Sequence, residues 1–152
     1  GPVNGSIYAF KQKHVYKLVR TGIRDRAYQS FNISKNLGAI PGSIVEGVDQ
    51  VGMPCLYFLD MNVGPCRTGG NKAIQSASRD IAETWGDVNL DGIVVCRGVY
   101  YPEKLQVHWW IATDGSDFPN LKIILQTNNS REGLDGIRGG WTKATSMAVT
   151  AH

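Results

Sequence analysis

The chain has 152 residues, a net charge of +3, and 42% apolar against 19% charged residues. That is one domain's worth of sequence, apolar enough to build a core and too sparsely charged to stay unfolded. Charges are mixed along the chain, and Asp25 interrupts the densest basic cluster, Arg20, Arg24 and Arg26, so a nucleic-acid footprint is not expected.

No apolar run approaches the roughly 18 residues of a membrane span, so no membrane partner is expected. No leader peptide is recognised either, and Gly1-Pro2-Val3 reads as a processed end or a cleavage scar. The 18 glycines, with no low-complexity run, point to many tight turns. In chain order, residues 5–10 are rich in strand formers, Lys11-Gln12-Lys13 is a polar turn, and residues 14–20 alternate as a returning strand. Residues 28–34 alternate apolar and polar, the pattern of a half-buried strand. Pro41-Gly42 turns the chain, and residues 43–46 form a short fourth strand.

Residues 54–59 (Pro-Cys-Leu-Tyr-Phe-Leu) make an apolar strand, Asp60-Met61-Asn62 a turn, and residues 63–67 a return weakened by Gly64-Pro65. Ile74, Ile81 and Trp85, with Ala77 and Ala82 between, have helical spacing, and residues 80–85 read as a short helical turn. Residues 93–101 are apolar enough for a strand buried on both faces. Residues 105–113, 121–127 and 141–145 follow as strands, and 147–150 begins another.

The turn glycines Gly22, Gly69 and Gly115 recur at a spacing of about 46 residues. The expected fold is therefore all-β, a single domain over 1–152 in units 3–49, 50–92 and 93–146, with a further strand starting in 147–152. Antiparallel four-stranded units of this length are the signature of propeller blades, here about three. The alternative is one β-sandwich or barrel. Three blades fall short of the usual ring, so a homo-oligomer is expected, most simply a dimer closing a ring, or a larger assembly.

Residues 53–85, "MPCLYFLDMNVGPCRTGGNKAIQSASRDIAETW", resemble a segment of tail or virion-associated structural proteins of bacteriophages and prophages. In that family a Pro-Cys-Leu-Tyr-Phe-Leu strand precedes a Gly-Pro-aromatic-Arg turn, then Ile-Gln and Asp-Ile before a Trp. Residues 7–22 and 108–113 are similar to the preceding and following units. This chain has Cys66 where the aromatic is usual. The resemblance implies a structural component of a virion or tail, found in the virion or in the host cytoplasm during assembly, with no catalytic residues to carry over.

The residues themselves offer little chemistry. His14, His108 and His152 are not at ligand spacing, and none has a nearby Cys at zinc spacing, so no metal or other cofactor is expected. Asp114, Asp117 and Asn120 could offer oxygens to Ca²⁺, but their spacing does not fit the twelve-residue calcium loop. Gly64 to Lys72 lacks the Lys-Ser/Thr ending of a phosphate loop. No Gly-x-Ser-x-Gly is present, and Asp80 with Glu83 reads as a solvated pair. Cys55, Cys66 and Cys96 read as inert buried thiols, with a Cys55–Cys66 bridge across a hairpin left open. The chain is thus not expected to be an enzyme.

The aromatics remain. Trp109 and Trp110 are adjacent, so on a strand they point to opposite faces, one to a core and one outward. Trp109, Trp110, Trp141, Tyr100 and Tyr101 are the candidate ligand or interface residues. The expected function is non-enzymatic assembly through β-blade faces. The alternative is a carbohydrate-binding module using exposed Trp and Tyr, and a hydrolase ranks below both. Expected core residues are Phe10, Leu56, Tyr57, Phe58, Val94, Val95, Ile111, Ile124 and Leu125, from the strand runs of highest apolar density.

Overall fold

The computed structural model describes residues 2–3, 5–69, 72–77, 79–91, 96–129, 131–133 and 136–145. Val94, Val95 and the strand expected at 147–150 lie outside them. The described chain is all-β. Three antiparallel sheets of four strands follow one another along the sequence, each a simple up-and-down meander. The first joins β1 (Pro2–Val3), β2 (Ser6–Phe10), β3 (Val15–Ile23) and β4 (Arg26–Ser34). The second joins β5 (Val45–Val48), β6 (Pro54–Asp60), β7 (Gly64–Gly69) and β8 (Lys72–Ser76). A 3-10 turn (Arg79–Ile81) and a short helix, α1 (Ala82–Gly86), lead on to the third. Its strands are β9 (Arg97–Tyr101), β10 (Gln106–Ile111), β11 (Leu121–Gln126) and β14 (Trp141–Thr145). Between β11 and β14 a small hairpin, β12 (Arg131–Gly133) and β13 (Gly136–Arg138), departs toward β8.

Several expectations shift against this architecture: the strand expected to be buried on both faces is edge strand β9, with Arg97, Val99 and Tyr101 exposed. The strand expected at 43–46 in the first unit lies two residues later, at Val45–Val48, and as β5 opens the second sheet, paired to β6. Ile74 sits in strand β8, so the helical stretch begins only at Arg79. The recurring glycines are not equivalent: Gly22 and Gly69 close the third strands of their sheets, whereas Gly115 follows the second strand of the third sheet.

The sheets stack in chain order, with the second in the middle. Its strand β6 is apolar on both faces because both are covered. Cys55, Tyr57 and Leu59 join Val107, Trp109, Ile111, Ile123 and Leu125 of the third sheet in the main core, which α1 closes with Trp85. On the opposite face Phe58 and Cys66 meet Phe10 of the first sheet, with the Phe10 and Phe58 rings 4.9 Å apart. Ile124 is a correction to the expected core: alternation gives the buried position to Ile123 and turns Ile124 outward.

Gly98 lets the second and third sheets meet closely. A Cβ there would stand 2.4 Å from Val45 Cγ2 and 2.9 Å from the Ser43 carbonyl oxygen. The same carbonyl accepts the Trp109 indole N–H at 2.8 Å, so the largest buried ring is also hydrogen-bonded. Asp60, buried at the end of β6, accepts backbone N–H bonds from Gly38 (2.8 Å), Asn62 (2.8 Å) and Val63 (2.9 Å). It thereby ties the β6–β7 turn to the segment that leaves the first sheet.

Candidate functional site on the outer face of the third sheet

Alternation along β10 sends Val107, Trp109 and Ile111 to the core and Gln106, His108 and Trp110 outward. Register carries the outward face to Arg97, Val99 and Tyr101 on β9 and to Lys122, Ile124 and Gln126 on β11. Of the five aromatic candidates, two therefore lie on this open face, Trp110 and Tyr101, the latter 39% exposed. Trp109 is fully buried, and Trp141 stacks on it with centroids 6.2 Å apart. Tyr100 lies against Gly47 of the second sheet. Trp109 is part of the core, and Tyr100 and Trp141 pack against it, half-buried.

Sequence reasoning weighs His108 as a metal ligand and sets it aside. It is the centre of this face. Its ring lies 4.4 Å from that of Tyr101 and 6.0 Å from that of Trp110, centroid to centroid, and only 8% of the residue is exposed. Lys122 Nζ stands 5.9 Å from the centre of the Trp110 ring, a cation–π arrangement. Beside the rings runs a chain of amides. Gln126 Nε2 donates to the Lys104 carbonyl (2.8 Å), and Gln106 Nε2 donates to Gln126 Oε1 (2.7 Å).

This chain fixes the histidine tautomer. Gln106 Oε1 is an acceptor 2.9 Å from His108 Nε2, so Nε2 carries the proton and donates. Nδ1 is then a bare acceptor, buried and without a hydrogen-bond partner among the described residues. Burial, and secondarily the positive charges of Lys122 and Lys104, push the His108 pKa below its ordinary value, so the ring is neutral at pH 7. The face is thus flat, aromatic and rimmed by cations, suited to stacking on a sugar ring or packing on another sheet.

The cysteines do not add chemistry. Cys55 and Cys66 lie on opposite faces of the second sheet, so the hairpin bridge left open by the sequence is not formed; all three cysteines are buried and free. Burial pushes the Cys55 thiol up to about 11, and the Cys66 and Cys96 thiols to about 12, so each is protonated at neutral pH. Asn120 spends its side chain on its own loop, accepting from the Thr113 N–H at 2.8 Å and donating to the Thr113 carbonyl at 3.1 Å. The calcium oxygens suggested by sequence are in part already engaged. Compared with known proteins, the chain matches no family model and no curated sequence.

Proposed function

We propose that this chain is a non-enzymatic structural module that acts by assembly, its outer sheets packing against further sheets of the same kind. The carrying observation is the contrast in cover: the middle sheet is sandwiched on both faces, while the flanking sheets each leave a face open with large apolar side chains. On the third sheet these are Val99, Tyr101 and Trp110, and on the first Ile7 and Tyr28. Serial meanders stacked face to face are the way repeat proteins bury apolar faces that one unit cannot bury alone. Two copies would close a six-bladed ring; a larger ring or a virion or tail particle would serve as well. The resemblance of residues 53–85 to phage tail and virion proteins supports the same reading. Light scattering on the purified chain tests it: a discrete oligomer is expected, and a monomer at every accessible concentration overturns it.

A second reading, carbohydrate binding, is favoured by one observation, the side-by-side Tyr101, His108 and Trp110 rings beside the Gln106–Gln126 amides. Its test is a glycan array with the Trp110→Ala variant as control, where binding lost in the variant supports it and an empty array removes it.

A further inference from the structure

The first sheet outgrows the second. Val15 is fully buried, but along the same face of the sheet Val19 and Phe31 emerge, Phe31 at 45% exposure, and beyond the bulge in β3 Ile23 is 59% exposed. The β3–β4 hairpin therefore projects as an arm. Its tip is tightly built: Gly22 turns at φ +76°, Thr21 Oγ1 donates to the Arg26 carbonyl, and the Ile23 N–H donates to Thr21 Oγ1 at 3.1 Å. Val19, Ile23 and Phe31, together with Arg20 and Arg26, line a groove of about 310 Å³ on this arm.

At the other end of the stack the β10–β11 loop presents the opposite shape and charge. Phe118 is 75% exposed, the most exposed large apolar side chain among the described residues. It follows Asp117, and Asp114 lies on the same loop; both are exposed. An exposed Phe on a loose loop would mean little, but this loop is fixed at every step. The Ser116 N–H donates to the Thr113 carbonyl (3.0 Å), Asn89 Nδ2 to the Ser116 carbonyl (2.9 Å), and Ser116 Oγ to the Phe118 carbonyl (2.8 Å). Asn120 clamps the base through Thr113. The ring is held out in water by a preorganised frame, which lowers the ordering cost of docking it.

We propose that these two features are halves of one contact between copies of this chain: Phe118 of one copy seats in the Val19–Ile23–Phe31 groove of the next, and Asp114 and Asp117 face Arg20 and Arg26. An aromatic anchor in an apolar pocket inside a ring of complementary charge is how small interfaces concentrate their affinity. The two surfaces differ, so the contact is head to tail and builds a closed ring or a filament. The inference rests on the assembly reading in taking a second copy as partner, but it names a contact apart from the open sheet faces.

The test uses two variants of the full chain, one single and one double, altered only at exposed side chains and checked for an unchanged circular dichroism spectrum. Phe118→Ser removes the knob, and Phe31→Ser with Arg26→Glu spoils the groove. Sedimentation velocity should show the wild type associating, and each variant alone weakened by roughly 30-fold or more, the loss expected for an aromatic anchor. Mixed together, the variants retain one good knob and one good groove between them, and should form a 1:1 heterodimer that grows no further. Wild-type association should also weaken with added salt. Variants that assemble like the wild type, or a mixture without the capped heterodimer, overturn the proposed contact and leave assembly through the open faces standing. A wild type that stays monomeric overturns both.

Discussion

Strands β6 and β4 show how differently one chain uses the same secondary structure. In β6, Pro54–Asp60, neither face carries an uncompensated polar group, and six of seven residues are buried. In β4, Arg26–Ser34, apolar and polar residues alternate only from Ser30 onward, and every residue from Arg26 through Asn32 is exposed. A continuous apolar run is solvable only between two layers, so β6 must be central. Alternation is compatible with cover on one face but does not require it. β4 meets the second sheet only through limited contact with β8, and most of its length extends past that sheet. Stability is therefore concentrated between the second and third sheets, and the first sheet is left for interaction.

The comparison is most sharply tested at the interface between the second and third sheets. Trp109→Ala removes the largest fully buried side chain and its bond to the Ser43 carbonyl, and should destabilise by about 3–5 kcal/mol. The matching truncation in β4, Phe31→Ala, should change stability by roughly 0.5 kcal/mol or less, as surface substitutions do. Chemical denaturation of the two variants measures both, and equal losses would show that β4 is covered in the folded protein.

Next in size is Asp60→Ala. It strands the three backbone N–H groups that the buried carboxylate accepts, at a cost of about 2–4 kcal/mol. Because Gly38 lies between the first and second sheets, the first should become the more rapidly exchanging in hydrogen exchange, with the second and third sheets less affected. Gly98→Ala is the converse probe, pressing on the interface between the second and third sheets. The added methyl meets Val45 and the Ser43 carbonyl, and overpacking of that kind costs about 1–3 kcal/mol. A melting temperature unchanged from wild type would mean that the sheets are spaced more loosely than the stack described.

How much of this was legible in the sequence depends on whether a local pattern or a distant partner decides. The β6 run reads correctly over 54–59 because six consecutive residues satisfy one rule, and only Asp60, expected in the turn, falls inside the strand. The opposed faces of Trp109 and Trp110 follow from alternation alone, but which ring goes inward depends on Ser43 and Val45, far away in sequence. β5 was given to the wrong sheet because a four-residue strand carries no signal of its partner. Ile123 and Ile124 are chemically equal, so only the register with Trp109 and His108 separates them. Arg67 reads as part of a turn motif, yet lies buried in β7 opposite Tyr57. Phe118 was invisible as a candidate because an Asp-Phe-Pro loop looks ordinary until its exposure and its hydrogen-bonded frame are known.

The smallest expected effect belongs to His108, and it separates the open face from the buried interface by pH. The folded state lowers this histidine's pKa below the unfolded value of 6.5, first through burial and then through Lys122 and Lys104. The unfolded chain therefore binds the proton more readily than the folded one between the folded pKa and 6.5. By linkage, stability rises with pH across that window. It is fully present above 6.5 and is lost as pH falls through the folded pKa. Protonation also gives Nδ1 a proton with no acceptor, beside two lysines. Melting curves collected downward from neutral pH should thus show a modest decline that begins before the carboxylates titrate. His108→Gln, which removes the titrating ring, should flatten that decline while leaving the Trp109 interface intact. If a partner sheet covers the Tyr101–His108–Trp110 face in the assembly, the same decline should appear in the oligomer's dissociation. A His108→Gln variant with the wild-type pH profile would show that the ring is solvated well enough to titrate as in the unfolded chain.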